Sequence, residues 1–136
     1  MQNKLTVLMA QINPLCALTS NRDQIIEIIK SKQAAHNVIL FPELALTGYP
    51  PEDLLFRREF QQAVAEHLKQ IQTEIKDCYV LVGHPSMREQ RLYNSVSIFI
   101  EAKKLQNITS KIYRTIKFLM KHVILPPEKK IHVFWK

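Results

Sequence analysis

Hydrophobic and polar positions alternate between two periods along the first hundred residues of this chain. Leu5 to Ile12 is a short aliphatic run that ends at Asn13-Pro14, the pattern of a buried strand. Ile25, Ile26, Ile28 and Ile29 then recur at helical spacing, with Ser20 as the expected N-cap and His36-Asn37 closing the segment. Val38-Ile39-Leu40-Phe41 reads as a second strand, stopped by Pro42, which has no N–H to give to a ladder. After the Pro50-Pro51 turn, residues 56–77 lack Gly and Pro and set Phe60, Val64, Leu68, Ile71 and Ile75 three or four apart. This spacing predicts a long amphipathic helix.

Tyr79 to Val82 predicts a third strand ending at Gly83, and Asn94 to Ile100 a fourth, with Val96, Ile98 and Ile100 on one face. The polar stretch Met87 to Arg91 between them suits a hairpin turn. The order β-α-β-α-β-β belongs to a layered α/β protein with helices covering a sheet. In such sheets, loops leaving the carboxyl ends of strands converge on ligands. Glu43 lies just past such an end and is a candidate general base, weighed against a helix cap or a solvated loop carboxylate.

Composition changes the picture at one place. Residues 1–100 carry ten Lys/Arg and ten Asp/Glu, whereas residues 101–136 carry nine and two and hold the whole net charge of +7. No Gly/Ser/Pro spacer marks the junction, so the change is not that of a linker between two domains. A chain of 136 residues suits one compact domain. The sequence has no apolar run long enough for a transmembrane helix and no secretory leader pattern, which predicts a cytoplasmic location. Cys16 and Cys78 show neither disulfide nor zinc spacing and are expected to be buried free thiols. His36, His67, His84, His122 and His132 share no spacing with carboxylates or thiols that suggests a metal site. Glu52 and Asp53 fit the start of a helix, Arg57, Arg58 and Glu59 an exposed helical face. No glycine-rich phosphate loop is present.

Leu5, Gln11-Ile-Asn-Pro14, Asn21, Phe41-Pro-Glu43, Thr47-Gly-Tyr-Pro-Pro-Glu-Asp-Leu-Leu55, Val82-Gly83 and Leu92-Tyr-Asn-Ser95 together resemble the nitrilase superfamily of carbon-nitrogen hydrolases. The resemblance is specifically to the amino-terminal glutaminase domain of the glutamine-dependent NAD synthetases, and it covers about residues 4–100. The Phe-Pro-Glu element is shared across the superfamily, and the Gly-Tyr-Pro-Pro-Glu-Asp-Leu-Leu extension is the more specific part. The fold it implies is a partial nitrilase-like α-β-β-α sandwich whose C-terminal half is missing, within a family that assembles as homo-oligomers.

The resemblance implies a Glu, Lys and Cys chemistry in which the Cys attacks the side-chain amide of glutamine and water resolves the thioester. Glu43 matches the Glu, the general base, and Tyr49 matches the position that lines the glutamine pocket. The family's Lys, followed by Leu-Pro-Asn-Tyr, and its later Cys have no counterpart in this frame. Cys16 stands where the family prefers Gly, which would strain a turn if φ is positive there. No cofactor is expected in this chain; ATP and Mg would belong to the synthetase domain, which the resemblance does not reach. The chain is accordingly expected to be inactive as it stands.

The genetic code offers a reading of the tail. Freely chosen codons for residues 107–125, read two bases out of phase, can spell YHKQNLPNYKVFDEARYF, and a Pro-Gly turn follows through Pro126 and Pro127. That string contains the family's Lys and Leu-Pro-Asn-Tyr. The phase fits back to about Ala102, which puts the displacement near Glu101 to Lys104. Residues 1–101 then form a partial carbon-nitrogen hydrolase domain, and residues 102–136 a basic tail that is not a domain. Such a partial domain is expected to leave a sheet edge and a core face uncovered.

Two further readings compete. One is an inactive nitrilase-fold interaction protein. The other is a nucleic-acid or membrane-surface module built on Lys103, Lys104, Lys111, Arg114, Lys117 and Lys121, with Tyr113 or Phe118 as stacking partners and a basic helix from about 108 to 124. Nucleic acid and membrane are both disfavoured as partners, because the neutral half carries the family motifs.

Overall fold

A five-stranded mixed sheet with two helices forms the protein in the computed structural model, which describes residues 5–49, 51–101 and 103–109. Strand β1 (Val7–Met9) leads to helix α1 (Leu18–Lys32), a 3-10 turn (Gln33–Ala35) and strand β2 (Val38–Leu40). A second 3-10 segment (Glu52–Phe56) precedes helix α2 (Arg58–Thr73), and β3 (Tyr79–Arg88), β4 (Arg91–Ile100) and β5 (Lys103–Thr109) complete the order. The strands lie in sequence order across the sheet. β1, β2 and β3 are parallel, with Val7 opposite Val38 and Val38 opposite Tyr79, whereas β3, β4 and β5 run antiparallel.

The parallel half needs crossover connections, and α1 and α2 supply them. Their apolar faces pack on one side of the sheet, joining Ile25, Ile29, Val64, Leu68 and Ile71 to Ile39, Val80, Val82 and Phe99. Each of these large side chains contributes about 1.5–3 kcal/mol through its removal from water. The opposite face carries a second apolar cluster of Val38, Leu81, Val96 and Ile98. Apolar residues on both faces are what a sheet covered on both sides requires. Buried Gln33 fastens the end of α1 to the end of α2: its Nε2 donates to the Glu74 carbonyl at 3.2 Å, and the Lys76 N–H donates to its Oε1 at 2.9 Å.

Several boundaries differ from those the pattern predicts. Ser20 is not the cap of α1: it lies within the helix, and Ala17 occupies the N-cap position with no side-chain capping bond. Asn21, in the first turn, instead ties down the loop before the helix. Its Oδ1 accepts from the Leu15 N–H at 3.2 Å, and its Nδ2 donates to the carbonyls of Leu15 at 2.5 Å and Leu46 at 3.0 Å. The helix expected over 56–77 is shorter, because the chain spends residues 52–56 in the 3-10 segment and leaves α2 at Glu74 before buried Ile75. β1 is shorter than the run from Leu5 to Ile12.

β3 does not end at Gly83 but continues through Pro85 to Arg88. β2 pairs with it only at Tyr79, Val80 and Leu81, so Pro85 sits where the β2 side of β3 has no strand to receive an N–H. The hairpin from β3 to β4 closes at Glu89 and Gln90, whose φ values of 48° and 62° give the double left-handed turn that matches strand twist. Cys16 is not among the positive-φ residues, so no strain arises there. β5 pairs along β4 from Lys103 to Thr109, past the compositional break, with an irregularity at Ile98 and Phe99. The basic helix expected over 108–124 meets β5 at residues 108 and 109, and the rest of it lies outside the described residues, as do the Pro50 turn residue and the tail from 110.

Candidate functional site

Phe41 continues the β2 direction by donating its N–H to the Leu81 carbonyl at 2.9 Å, and Pro42 then ends the pairing. The next residues fold into tight turns. The N–H groups of Thr47 and Gly48 donate to the Leu44 carbonyl at 3.1 and 2.8 Å, and Leu44 adopts a φ of 50°. Gly48, at φ 76°, passes so close to Leu15 that a Cβ would stand 2.2 Å from its carbonyl oxygen. Leu44, Ala45, Leu46 and Thr47 are buried, while Glu43 between Pro42 and Leu44 is exposed. The turn is thus anchored by its apolar residues and turns its one carboxylate outward.

Gly83 is what lets this turn lie on the sheet. A Cβ there would be 2.5 Å from the Pro42 carbonyl oxygen, 2.9 Å from the Leu44 nitrogen and 3.0 Å from the Glu43 Cα. The Leu46 N–H also donates to the Gly83 carbonyl at 3.4 Å. Alternation along the antiparallel pair sets what else reaches this place. Leu81 faces Ile98, Gly83 faces Val96 and Pro85 faces Asn94, so these residues share the side of the sheet away from α1 and α2. Asn94 Nδ2 donates to Glu43 Oε1. Its Oδ1 is buried and has no hydrogen-bond partner among the described residues.

Tyr49 is 76% exposed, and neither of the two recesses described includes it or Glu43. The structure therefore brings Glu43 together with Asn94 and Gly83, and it leaves the Tyr49 side chain exposed at the surface. One recess of about 420 Å³ lies on the helix side, between α2, residues 84–87 of β3 and Phe99 of β4. His84 fronts it, with Nδ1 donating to the Pro85 carbonyl at 2.9 Å and Nε2 hydrogen-bonded with the Ser97 hydroxyl at 2.7 Å. The Ser86 and Ser95 hydroxyls bond at 2.6 Å nearby.

Cys78 is buried, and burial together with the Asp77 carboxylate pushes its thiol up to about 11. A thiol held protonated is a poor nucleophile. Cys16 is exposed. No group of three or more His, Cys, Asp or Glu side chains able to hold a metal occurs among the described residues, and none of the described helices is long and apolar enough to cross a membrane.

The sequence pattern singles out Glu43 as a candidate, whereas Gly83 and Asn94 enter it only as parts of a motif. A signal for both was present: a glycine inside an apolar strand marks a close backbone approach, and an asparagine in phase with Val96 and Ile98 is a polar group on an apolar face.

The model of the carbon-nitrogen hydrolase family matches residues 6–134. A glutamine-dependent NAD(+) synthetase of Xanthomonas campestris is 37% identical over 102 residues, which are 73% of this chain and 18% of that protein. The chain thus spans less than a fifth of the length of this curated relative. Among solved structures, a glutamine-dependent NAD(+) synthetase from Cytophaga hutchinsonii aligns over 79% of this chain and 19% of its own, with a TM-score of 0.74 at 23% identity. An amidase from a Nesterenkonia species aligns over 80% and 44%, with a TM-score of 0.64 at 16% identity.

Proposed function

The chain belongs to the carbon-nitrogen hydrolase family, and from that premise we propose that it is part of the glutamine amidohydrolase domain of a glutamine-dependent NAD(+) synthetase. In that role the intact domain hydrolyses glutamine and supplies ammonia for the amidation of deamido-NAD. The observation that carries the reading is the Phe41-Pro-Glu43 turn, seated over Gly83 at the end of β2, in a chain 37% identical over most of its length to such a synthetase.

Glu43 is the general base in this reading. It takes the proton of an attacking thiol and later helps water attack the thioester. Its exposure toward the side opposite the helices, with one oxygen held by Asn94, leaves the second oxygen for that proton. Tyr49 is the glutamine-contacting residue, and its exposed ring supplies a surface that substrate and the rest of the domain would cover. Residues 1–136 contain no Lys followed by Leu-Pro-Asn-Tyr in this frame, and Cys78 is held as a buried neutral thiol, so the chain as it stands is inactive toward glutamine. The intact assembly is homo-oligomeric and cytoplasmic in this reading.

The same proposal includes the boundary: the reading frame leaves the family near Glu101 to Lys104. The out-of-phase Lys and Leu-Pro-Asn-Tyr support it. β5 from Lys103 and the family match up to residue 134 are what an in-frame chain would also give, so the coding sequence separates the two. Sequencing codons 95 to 136 and beyond in all three frames tests it. The expected result is a single-base change that restores Leu-Pro-Asn-Tyr and leads to a downstream Cys and a synthetase domain. Codons that cannot spell the family segment in any frame would overturn the boundary and leave the tail as a genuine part of the chain.

A further inference from the structure

We propose that Arg22 on α1 and His67 and Gln70 on α2 form a proton-controlled clasp, closed while His67 is neutral and opened when it takes up a proton. Three contacts carry it. Arg22 Nη1 donates to Gln70 Oε1 at 2.8 Å and lies 3.3 Å from His67 Nδ1, and His67 Nδ1 lies 3.2 Å from Gln70 Oε1. A guanidinium only donates, so both of its partners here must accept. Nη1 has two protons, one for each. His67 Nδ1 is therefore bare, and the ring carries its single proton on Nε2. In this state His67 and Gln70 are two acceptors held side by side by the cation they share.

A second proton reverses the arrangement. Placed on Nδ1, it meets the Arg22 N–H groups, which repel it, and the Gln70 oxygen, which accepts it. His67 and Gln70 are three apart on α2, so the new bond closes within one helix face, whereas the one it replaces joined two helices. Arg22 keeps Asp23, whose Oδ1 takes bonds from Nε and Nη2 at 2.8 and 2.6 Å, and loses His67 as an acceptor. Asp23 is the carboxylate that α1 brings to this cluster. Glu66 and Lys69 stand one and two positions from His67 on α2, where helix geometry turns them to other faces. No other charged group bonds to Arg22, His67 or Gln70 among the described residues.

The clasp is placed to act on the turn that holds Glu43. Arg22 follows Asn21, which is buried and donates from Nδ2 to the Leu46 carbonyl at 3.0 Å. The Arg22 side chain is only 19% exposed, so its hold on α2 fixes the start of α1, where Asn21 stands. Opening the clasp frees that end of the helix and slackens the grip of Asn21 on the residues after Glu43. This inference does not rest on the reading of Glu43 as the base.

The test is nitrogen-15 NMR of the whole 136-residue chain. It follows the His67 ring nitrogens, the Arg22 guanidinium nitrogens and the Asn21 side-chain amide from about pH 8 to about pH 5, the span in which histidine changes charge. At the upper end the Nε2–H form is expected to outnumber the Nδ1–H form by about tenfold, as a hydrogen bond from a charged donor requires. Arg22→Met keeps the packing of the stem and removes the donors, and the ratio is expected to fall to that of free histidine. On acidification the Arg22 Nη1 and Asn21 amide resonances are expected to move with the His67 ring. His67→Gln, an acceptor that takes up no proton, is expected to hold them in place. A ratio at the upper end equal to that of free histidine, or unchanged by Arg22→Met, would overturn the clasp. So would Arg22 resonances that stay still while the ring titrates. Movement of Arg22 without Asn21 would overturn the link to the Glu43 turn.

Discussion

Gly83 and Pro42 stand so close that a single added carbon on Gly83 would lie 2.5 Å from the Pro42 carbonyl oxygen. The obstacle is backbone, which cannot swing aside as a side-chain tip could. Gly83→Ala therefore forces the Glu43 turn off the sheet. We expect a loss of about 1–3 kcal/mol in denaturant unfolding, together with a change in the Asn94 side-chain amide resonances. An alanine variant with wild-type stability and unchanged resonances would show that the turn does not depend on this approach.

Gly48 is constrained twice, by a φ of 76° and by the Leu15 carbonyl 2.2 Å from a would-be Cβ. Gly48→Ala is expected to destabilise by more than the ~1 kcal/mol that a positive φ alone costs an alanine. The comparison with Gly83→Ala separates the effects, since Gly83 carries the close approach without the positive φ.

Asn21 is buried and ties the loop before α1 to the Leu46 carbonyl. Asn21→Ala leaves the Leu46 carbonyl and the Leu15 N–H without this partner, while the Leu15 carbonyl keeps its bond from the Ala17 N–H at 2.8 Å. A loss of about 1–3 kcal/mol is expected in urea unfolding, set by the buried Leu46 carbonyl left unmatched. Asn21→Asp should recover the bond from Leu15 N–H alone and fall between the two.

The two thiols should react at very different rates. Exposed Cys16 is expected to take iodoacetamide readily, while Cys78 stays protected until the chain unfolds, because it is buried and its thiol is pushed up to about 11. The same shift couples to stability. The folded thiol ionises later than the unfolded one, near 9.0, so its contribution is complete below about pH 9 and is lost as pH rises to about 11. Wild-type protein should lose about 2–3 kcal/mol more than Cys78→Ala between pH 7 and pH 11; equal losses would remove the coupling.

Much of the fold was legible because it rests on periodicity. The helical spacing of Ile25 and Ile29, and of Val64, Leu68 and Ile71, marked the faces that pack on the sheet. The apolar runs at Val38 and Tyr79 and the alternation from Val96 to Ile100 marked strands that pair as expected of an α/β layer. Glu43 was legible because Pro42 cannot continue a strand, so the next residue must leave its end. The start of α1 was not legible, since Ala17 stands at the N-cap position without a capping bond and Asn21 holds the preceding loop from inside the helix. The continuation of β3 beyond Gly83 also depended on a partner strand, because β4 holds residues that local propensity would release.

The sequence by itself determined which residues are apolar, at what period, and that one carboxylate follows the end of β2. These are local properties of neighbouring positions. Tertiary structure alone decided that Gly83 and Asn94 belong to Glu43, although 40 and more residues separate them in the chain, and that the Tyr49 side chain is exposed. Strand pairing sets such distances through register, and a one-residue change of register would have turned Asn94 to the opposite face.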